Sequence, residues 1–282
     1  MIDDLSTGRM QNLRHWRQNP NLVMITADIR KPISITVDQI YHLASPASPV
    51  HYMKDPIKTM TTNFDGTRNM LELSAKYDAK FLLASTSETY GDPLVHPQEE
   101  SYWGNVNPVG PRSSYDESKR TSEALAVAFH QTKRVKICIA RIFNTYGPRM
   151  RIDDGRVISN FIVQALRNES LTIYGNGDQT RSFLYISDLV TGLKALMQSN
   201  ESMPVNIGNE DEISILKLIE SIDYNFSGRK LQTKKLDRLV DDPQRRKPNA
   251  TKAFRVLNGW KPKVLLKDGL RYTIDYFKKE LR

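Results

Sequence analysis

A chain of 282 residues with 39% apolar side chains is long enough for one large α/β domain, or for a domain with a smaller lobe, around a sizeable core. It has no run of about eighteen apolar residues and no basic-then-apolar start, so neither a membrane span nor a signal peptide is expected, and a single cysteine, Cys138, excludes an internal disulfide. Of the net charge of +9, residues 229–282 hold the excess, with 17 Lys and Arg against 6 Asp and Glu; without an aromatic stacking ladder this points away from nucleic acid, towards a solvated face and an anionic small molecule.

In chain order, short apolar runs at 22–27, 39–44, 80–85 and 135–143 are separated by polar or helical stretches of crossover length, which predicts one parallel sheet. Cys138 lies inside the fourth run and reads as a small buried hydrophobe. Between the second and third runs, Pro56 to Tyr77 carries Ile57, Met60, Phe64, Met70, Leu71 and Leu73 at helical spacing, with Asp55 placed to cap it. Alternating helices and strands make the class α/β. Beyond Tyr146-Gly147-Pro148 come helices at 156–168, 186–199 and 213–222 with short strands at 171–174 and 205–207, a smaller substrate-binding lobe. Residues 228–248 are basic without a period, and helices at 250–257 and 267–281 end the chain. The division is 1–150 for the sheet domain and 151–282 for the lobe, with elements interleaved.

Tyr115 and Lys119 stand one helical turn apart, so the ammonium can sit by the phenol and favour its ionised, basic form. That spacing alone is weak, since about one Tyr-x-x-x-Lys is expected by chance in this composition. Thr86 and Glu88 raise its value, because they end the third apolar run, and open parallel sheets place ligands at the carboxyl ends of strands. Gly175-Asn176-Gly177 lacks a third glycine and reads as a turn. Arg245-Arg246-Lys247 is the densest cationic cluster, with Arg149 and Arg181 apart from it, and guanidinium groups suit diphosphates and carboxylates. The five histidines show no metal-ligand spacing, so no metal is expected. Asp3 matches the acidic residue that binds an adenosine ribose at the end of a second strand, while the chain opens without room for the glycine-rich turn that precedes it in such folds.

Together, the runs 41–49 (Tyr41-His42-Leu43-Ala44-Ser45-Pro46 onward), 85–93 (Ser85-Thr86-Ser87-Glu88 onward), 115–120 and 140–149 resemble the UDP-glucuronate decarboxylases (UDP-xylose synthases), extended short-chain dehydrogenases/reductases. Gln179 to Phe183 and Asp241 to Pro248 extend the likeness over nearly the whole chain. The resemblance implies a Rossmann-like parallel sheet and an NAD that is reduced and reoxidised within one turnover. Its catalytic residues would be Thr86, Glu88, Tyr115, Lys119 and Arg246. NAD would meet Asp3, Asp28, Leu43, Ser45, Tyr115 and Lys119, and UDP-glucuronate would meet Asn144, Arg156, Tyr174 and Arg181. The resemblance also implies a cytoplasmic homodimer, or a Golgi location for a protein with a leader. Two family features are missing. The first strand, glycine-rich turn and first helix have no counterpart, which implies an N-terminally truncated sheet and weak NAD binding, and Ser118 replaces a usual glycine. Three alternatives follow: a non-catalytic fragment paired with a full-length homologue, a 4,6-dehydratase, disfavoured by Ser87 where an aspartate belongs, and a 4-epimerase, which has no need of Arg246.

Overall fold

The computed structural model describes residues 1–226 and 231–282. Strands β1 (Ile2–Asp3) and β2 (Ile25–Thr26) pair in parallel as a two-stranded piece. After β3 (Gln39–His42) come helices α1 (Pro49–Lys54) and α2 (Pro56–Tyr77), then β4 (Lys80–Thr86), α3 (Ser113–Lys133) and β5 (Ile137–Ile142). The chain continues through β6 (Thr145–Tyr146), α4 (Val157–Leu166), β7 (Leu171–Tyr174), β8 (Thr180–Ser182), β9 (Leu184–Tyr185) and α5 (Ile186–Gln198). It ends with β10 (Val205–Ile207), β11 (Glu212–Ser214), α6 (Ile215–Asp223), β12 (Thr233–Leu236), β13 (Arg245–Arg246), α7 (Thr251–Val256) and α8 (Leu266–Glu280).

The main sheet is parallel with order β10-β5-β4-β3. Strands β4 and β5 read as near-unbroken apolar runs because both faces are covered, while the edge strand β3 alternates exposed and buried residues. Phe81 and Leu83 of β4 pack with Met70, Leu71, Ala126 and Phe129 of α2 and α3, while Leu82 packs with Leu189, Leu193 and Ala253 of α5 and α7. Cys138 is buried, as expected, and its thiol donates to the Leu196 carbonyl. A third cluster, including Phe161, Ile162, Leu218 and Phe277, forms a separate core among α4, α6 and α8.

The structure departs from, or adds to, the sequence reading at several points. The sheet is in two pieces, and the outer edge of β3 has no strand partner among the described residues. β1 stops after two residues because the Asp3 carboxylate accepts the Leu5 N–H at 2.7 Å and Leu5 turns at φ 58°. Helix α2 has the expected bounds, and Asp55 accepts the Lys58 N–H, but Ile57, Met60 and Phe64 are exposed. Its first half buries small polar residues instead: Asn63 donates to Ser118 Oγ at 2.8 Å and Ser122 donates to the Asn63 carbonyl at 2.9 Å. Ser118 therefore belongs to a hydrogen-bonded seam between α2 and α3. Ile213 is in β11 rather than the following helix, which starts after Ser214 caps it through Lys217 N–H. The aperiodic basic stretch contributes β12 and β13, and its residues 228–230 lie outside the described residues.

Candidate active site

A cavity of about 730 Å³ opens at the carboxyl ends of β4 and β5 and is walled on its far side by residues of α4, β7 and β8. That volume suits a sugar nucleotide. All five expected catalytic residues line it, as do the expected substrate residues Asn144, Arg156, Tyr174 and Arg181. Ser87, the residue that sets this chain apart from the dehydratase pattern, lines it too. A smaller cavity of about 100 Å³ holds Asp3 and Asp28, and Leu43 and Ser45 line both cavities. The six expected cofactor residues therefore lie along one trough over the strand ends. The Gly175–Gly177 segment is a turn with φ of 75° and 90° at its glycines, also as read.

Helix α3 presents Tyr115 and Lys119 on its buried face. The Lys119 ammonium lies 5.8 Å from the Tyr115 ring centroid and donates to the Ala84 carbonyl at 2.9 Å. Burial pulls Lys119 down to about 8, with Glu123 opposing. The Tyr115 phenol is pushed up to about 12 by burial and by Glu88, while a hydrogen bond with the Thr86 side chain pulls it down. The ammonium lies on the Tyr115 side of α3, as the one-turn spacing implies, but burial outweighs every pull towards a phenolate, against the expectation of an ionised phenol.

The Lys119 shift has a consequence for stability. Between about 8 and 10.5 the unfolded chain holds a proton that the folded chain has lost, so stability rises with pH across that window. Relative to a Lys119→Met variant, wild type should gain roughly 3 kcal/mol over that range in urea titrations. A flat difference between the two would contradict the buried, depressed ammonium.

The other end of the cavity is a buried charge cluster. Glu88 Oε2 accepts from Arg112 at 2.7 Å and from Arg246 at 2.6 Å, and Arg246 also donates to Asn144 Oδ1 at 3.1 Å. Burial alone would raise the Glu88 carboxyl, but Arg112 and Arg246 override it and hold it well below the usual carboxylate range. Arg181 donates to Asp242 Oδ2 at 2.8 Å, and Arg112 lies 3.5 Å from Asp242 Oδ1. Residues 181 and 246 meet because β13 pairs with β8 in the register that sets them opposite each other. Three guanidinium groups face two paired carboxylates, which leaves one positive charge for an anionic ligand. Asp116, next to Tyr115, is raised by burial and by Glu88, and its Oδ1 has no hydrogen-bond partner.

Sequence reasoning missed Arg112, Asp116 and Asp242. Arg112 closes the Gly110-Pro111-Arg112 turn into α3, and Asp242 stands inside a quoted motif without a role; neither spacing points to Glu88. It also missed Glu123, which accepts from Ser85 and is held by Arg141 at 2.8 Å. The cationic triplet 245–247 splits, since Arg246 is buried and Arg245 exposed. Asp28 is held by the Arg30 guanidinium and Arg156 by the Asp154 carboxylate, so each must share its partner with any ligand. Among the described residues no helix is long and apolar enough to cross a membrane.

The chain matches the GDP-mannose 4,6 dehydratase family model over residues 1–273. It is 54% identical over 281 residues to UDP-glucuronic acid decarboxylase 1 of Xenopus tropicalis, covering all of this chain and 66% of the relative. It is 52% identical over 281 residues to UDP-glucuronic acid decarboxylase 5 of Arabidopsis thaliana, covering all of this chain and 82% of that protein. The chain thus spans about two thirds of the length of its vertebrate relatives. Among solved structures, the UDP-glucose 4-epimerase of Thermotoga maritima with UDP-glucose superposes with a TM-score of 0.89 at 27% identity, over 100% of this chain and 91% of that one. The UDP-glucuronic acid 4-epimerase of Bacillus cereus, in complex with UDP-glucuronic acid and NAD, gives 0.84 at 30% identity over 96% and 86%. Motifs, fold and full-chain identity agree, and the chain belongs to the UDP-glucuronic acid decarboxylases of the extended short-chain dehydrogenase/reductase family.

Proposed function

We propose that this protein converts UDP-glucuronate to UDP-xylose and carbon dioxide with NAD as a resident cofactor. The observation that carries the reading is one cavity with Tyr115, Lys119 and Thr86 at one end and Glu88 between two arginines at the other. NAD fits the residues present: the Asp3 carboxylate suits ribose hydroxyls, and Leu43 and Ser45 link its small cavity to the Tyr115 end. When bound, NAD accepts a hydride from carbon 4 of the sugar and returns it, so the cycle has no net redox change.

Tyr115 takes the proton of the sugar 4-hydroxyl, with Thr86 holding the phenol and Lys119 supplying positive charge nearby. The resulting 4-ketone is β to the carboxylate, so the electrons left by departing carbon dioxide move onto that oxygen, and a proton taken up at carbon 5 restores the ketone that is then reduced. The cationic cluster orients the carboxylate for this step, with Glu88 fixing Arg112 and Arg246 in place. Asn144, Arg181, Arg156 and Tyr174 hold the nucleotide on the smaller-lobe side. Division at about residue 150 into a cofactor side and a substrate side is part of the proposal. So is pairing with a second copy beside α3, where Ile57, Met60 and Phe64 of α2 and Met53 of α1 are exposed. Phe64→Glu should shift sedimentation from dimer to monomer; an unchanged profile rejects this face.

The test of function is purified protein with UDP-glucuronate and NAD, followed by separation of the nucleotide sugars. UDP-xylose without accumulated NADH is expected. UDP-galacturonate as product, or folded protein that binds UDP-glucuronate without turnover, would overturn the reading.

A further inference from the structure

Tyr52 of α1 is 1% exposed and lies flat against the Tyr115 ring, with centroids 4.8 Å apart and planes within 6°. A buried tyrosine ordinarily spends its hydroxyl on a hydrogen bond, yet the Tyr52 hydroxyl has no partner. What the fold uses at this position is the ring. Its backbone is tied down as well, since the Tyr52 carbonyl accepts the Thr59 hydroxyl at 3.2 Å and its N–H donates to the Ser48 carbonyl at 2.9 Å. The Arg112 guanidinium lies 6.0 Å from the Tyr52 ring centroid, and the same guanidinium grips Glu88 at 2.7 Å. A continuous column thus runs from Glu88 through Arg112 and Tyr52 to Tyr115.

We propose that Tyr52 is a positioning residue: its ring fixes the plane of the Tyr115 phenol and ties that plane to the arginine cluster at the opposite end of the cavity. The inference rests on the decarboxylase reading. Sugar oxidation at carbon 4 and carboxylate loss at carbon 5 involve adjacent atoms of one ring, so the groups serving them must hold a fixed separation. A shared stack does this more rigidly than two independent side chains. The ring also excludes water from one face of Tyr115, consistent with burial being the first cause of that phenol's raised pKa.

The experiment compares wild type, Tyr52→Phe, Tyr52→Leu and Tyr52→Met, with thermal melts to establish folding. Tyr52→Phe should keep kcat within about twofold, because only an unpartnered hydroxyl is removed. Tyr52→Leu and Tyr52→Met should lower kcat roughly 10- to 100-fold with little change in KM, and move the Tyr115 limb of the pH profile to lower pH as water reaches the phenol. Equal losses in Tyr52→Phe and Tyr52→Leu, or full activity in folded Tyr52→Leu, would overturn the proposal. A 3-fluorotyrosine at position 115, titrated by fluorine NMR, gives a readout that needs no turnover: its midpoint should fall in Tyr52→Leu and hold in Tyr52→Phe. Silent wild-type protein would count against the decarboxylase reading, and an unmoved fluorine midpoint against the role of Tyr52.

Discussion

Tyr115→Phe should lower kcat by about 10³- to 10⁴-fold while leaving UDP-glucuronate affinity and melting temperature close to wild type. The substitution removes one oxygen, the proton carrier, while the ring stays packed against Tyr52. Single-turnover assays with calorimetric binding check both halves. Retention of more than a tenth of wild-type kcat would place the base elsewhere. Lys119 gives a smaller effect by the same logic, because its ammonium acts through the phenol rather than on the substrate.

Arg246→Met should be the most damaging single change to the fold. Arg246 is 5% exposed, and its loss leaves the half-buried Glu88 with Arg112 alone and Asn144 Oδ1 without this donor. Breaking a fully buried pair costs about 3–5 kcal/mol, and with Glu88 14% exposed at the cavity wall the loss should fall in the lower part of that range. Turnover should fall below detection, as the proposed carboxylate-orienting role of that guanidinium requires. The double variant Glu88→Gln with Arg246→Met should recover stability without recovering activity, as measured by urea melts and carbon dioxide release. A double variant no more stable than the single one would show that the pair does not set this cost.

The sequence made β4, α2 and α3 legible because each carries a strong local signal: an apolar run, a capped proline start, a polar helix with Tyr115 and Lys119 one turn apart. It pointed to Arg246 and Glu88 only through family likeness, since 158 residues separate them and the register of β13 on β8 brings them together. Arg112 was illegible for a related reason. Its partners Glu88 and Asp242 lie on either side in sequence, and no helical or strand period encodes a side chain that bridges them. Helix α2 was legible from its apolar spacing, but that periodicity reports a face without saying which neighbour covers it, and Ile57, Met60 and Phe64 are exposed. Here hydrogen bonds between Asn63, Ser118 and Ser122 turn the polar face inward. Tyr52 carried no signal at all, being one aromatic in a six-residue helix.

Strand β10 comes from residues 205–207 yet completes the main sheet beside β5, and Val205 and Ala253 share a core with Leu82 and Cys138. The first half of the chain is therefore closed by a strand that the ribosome makes late. Until residue 207 has emerged, one edge of β5 stays unpaired. Gene recombination meets the same constraint: a crossover near residue 150 exchanges half of the substrate pocket and also the strand that closes the other parent's sheet, so viable chimeras must carry β5 and β10 from parents whose packing matches.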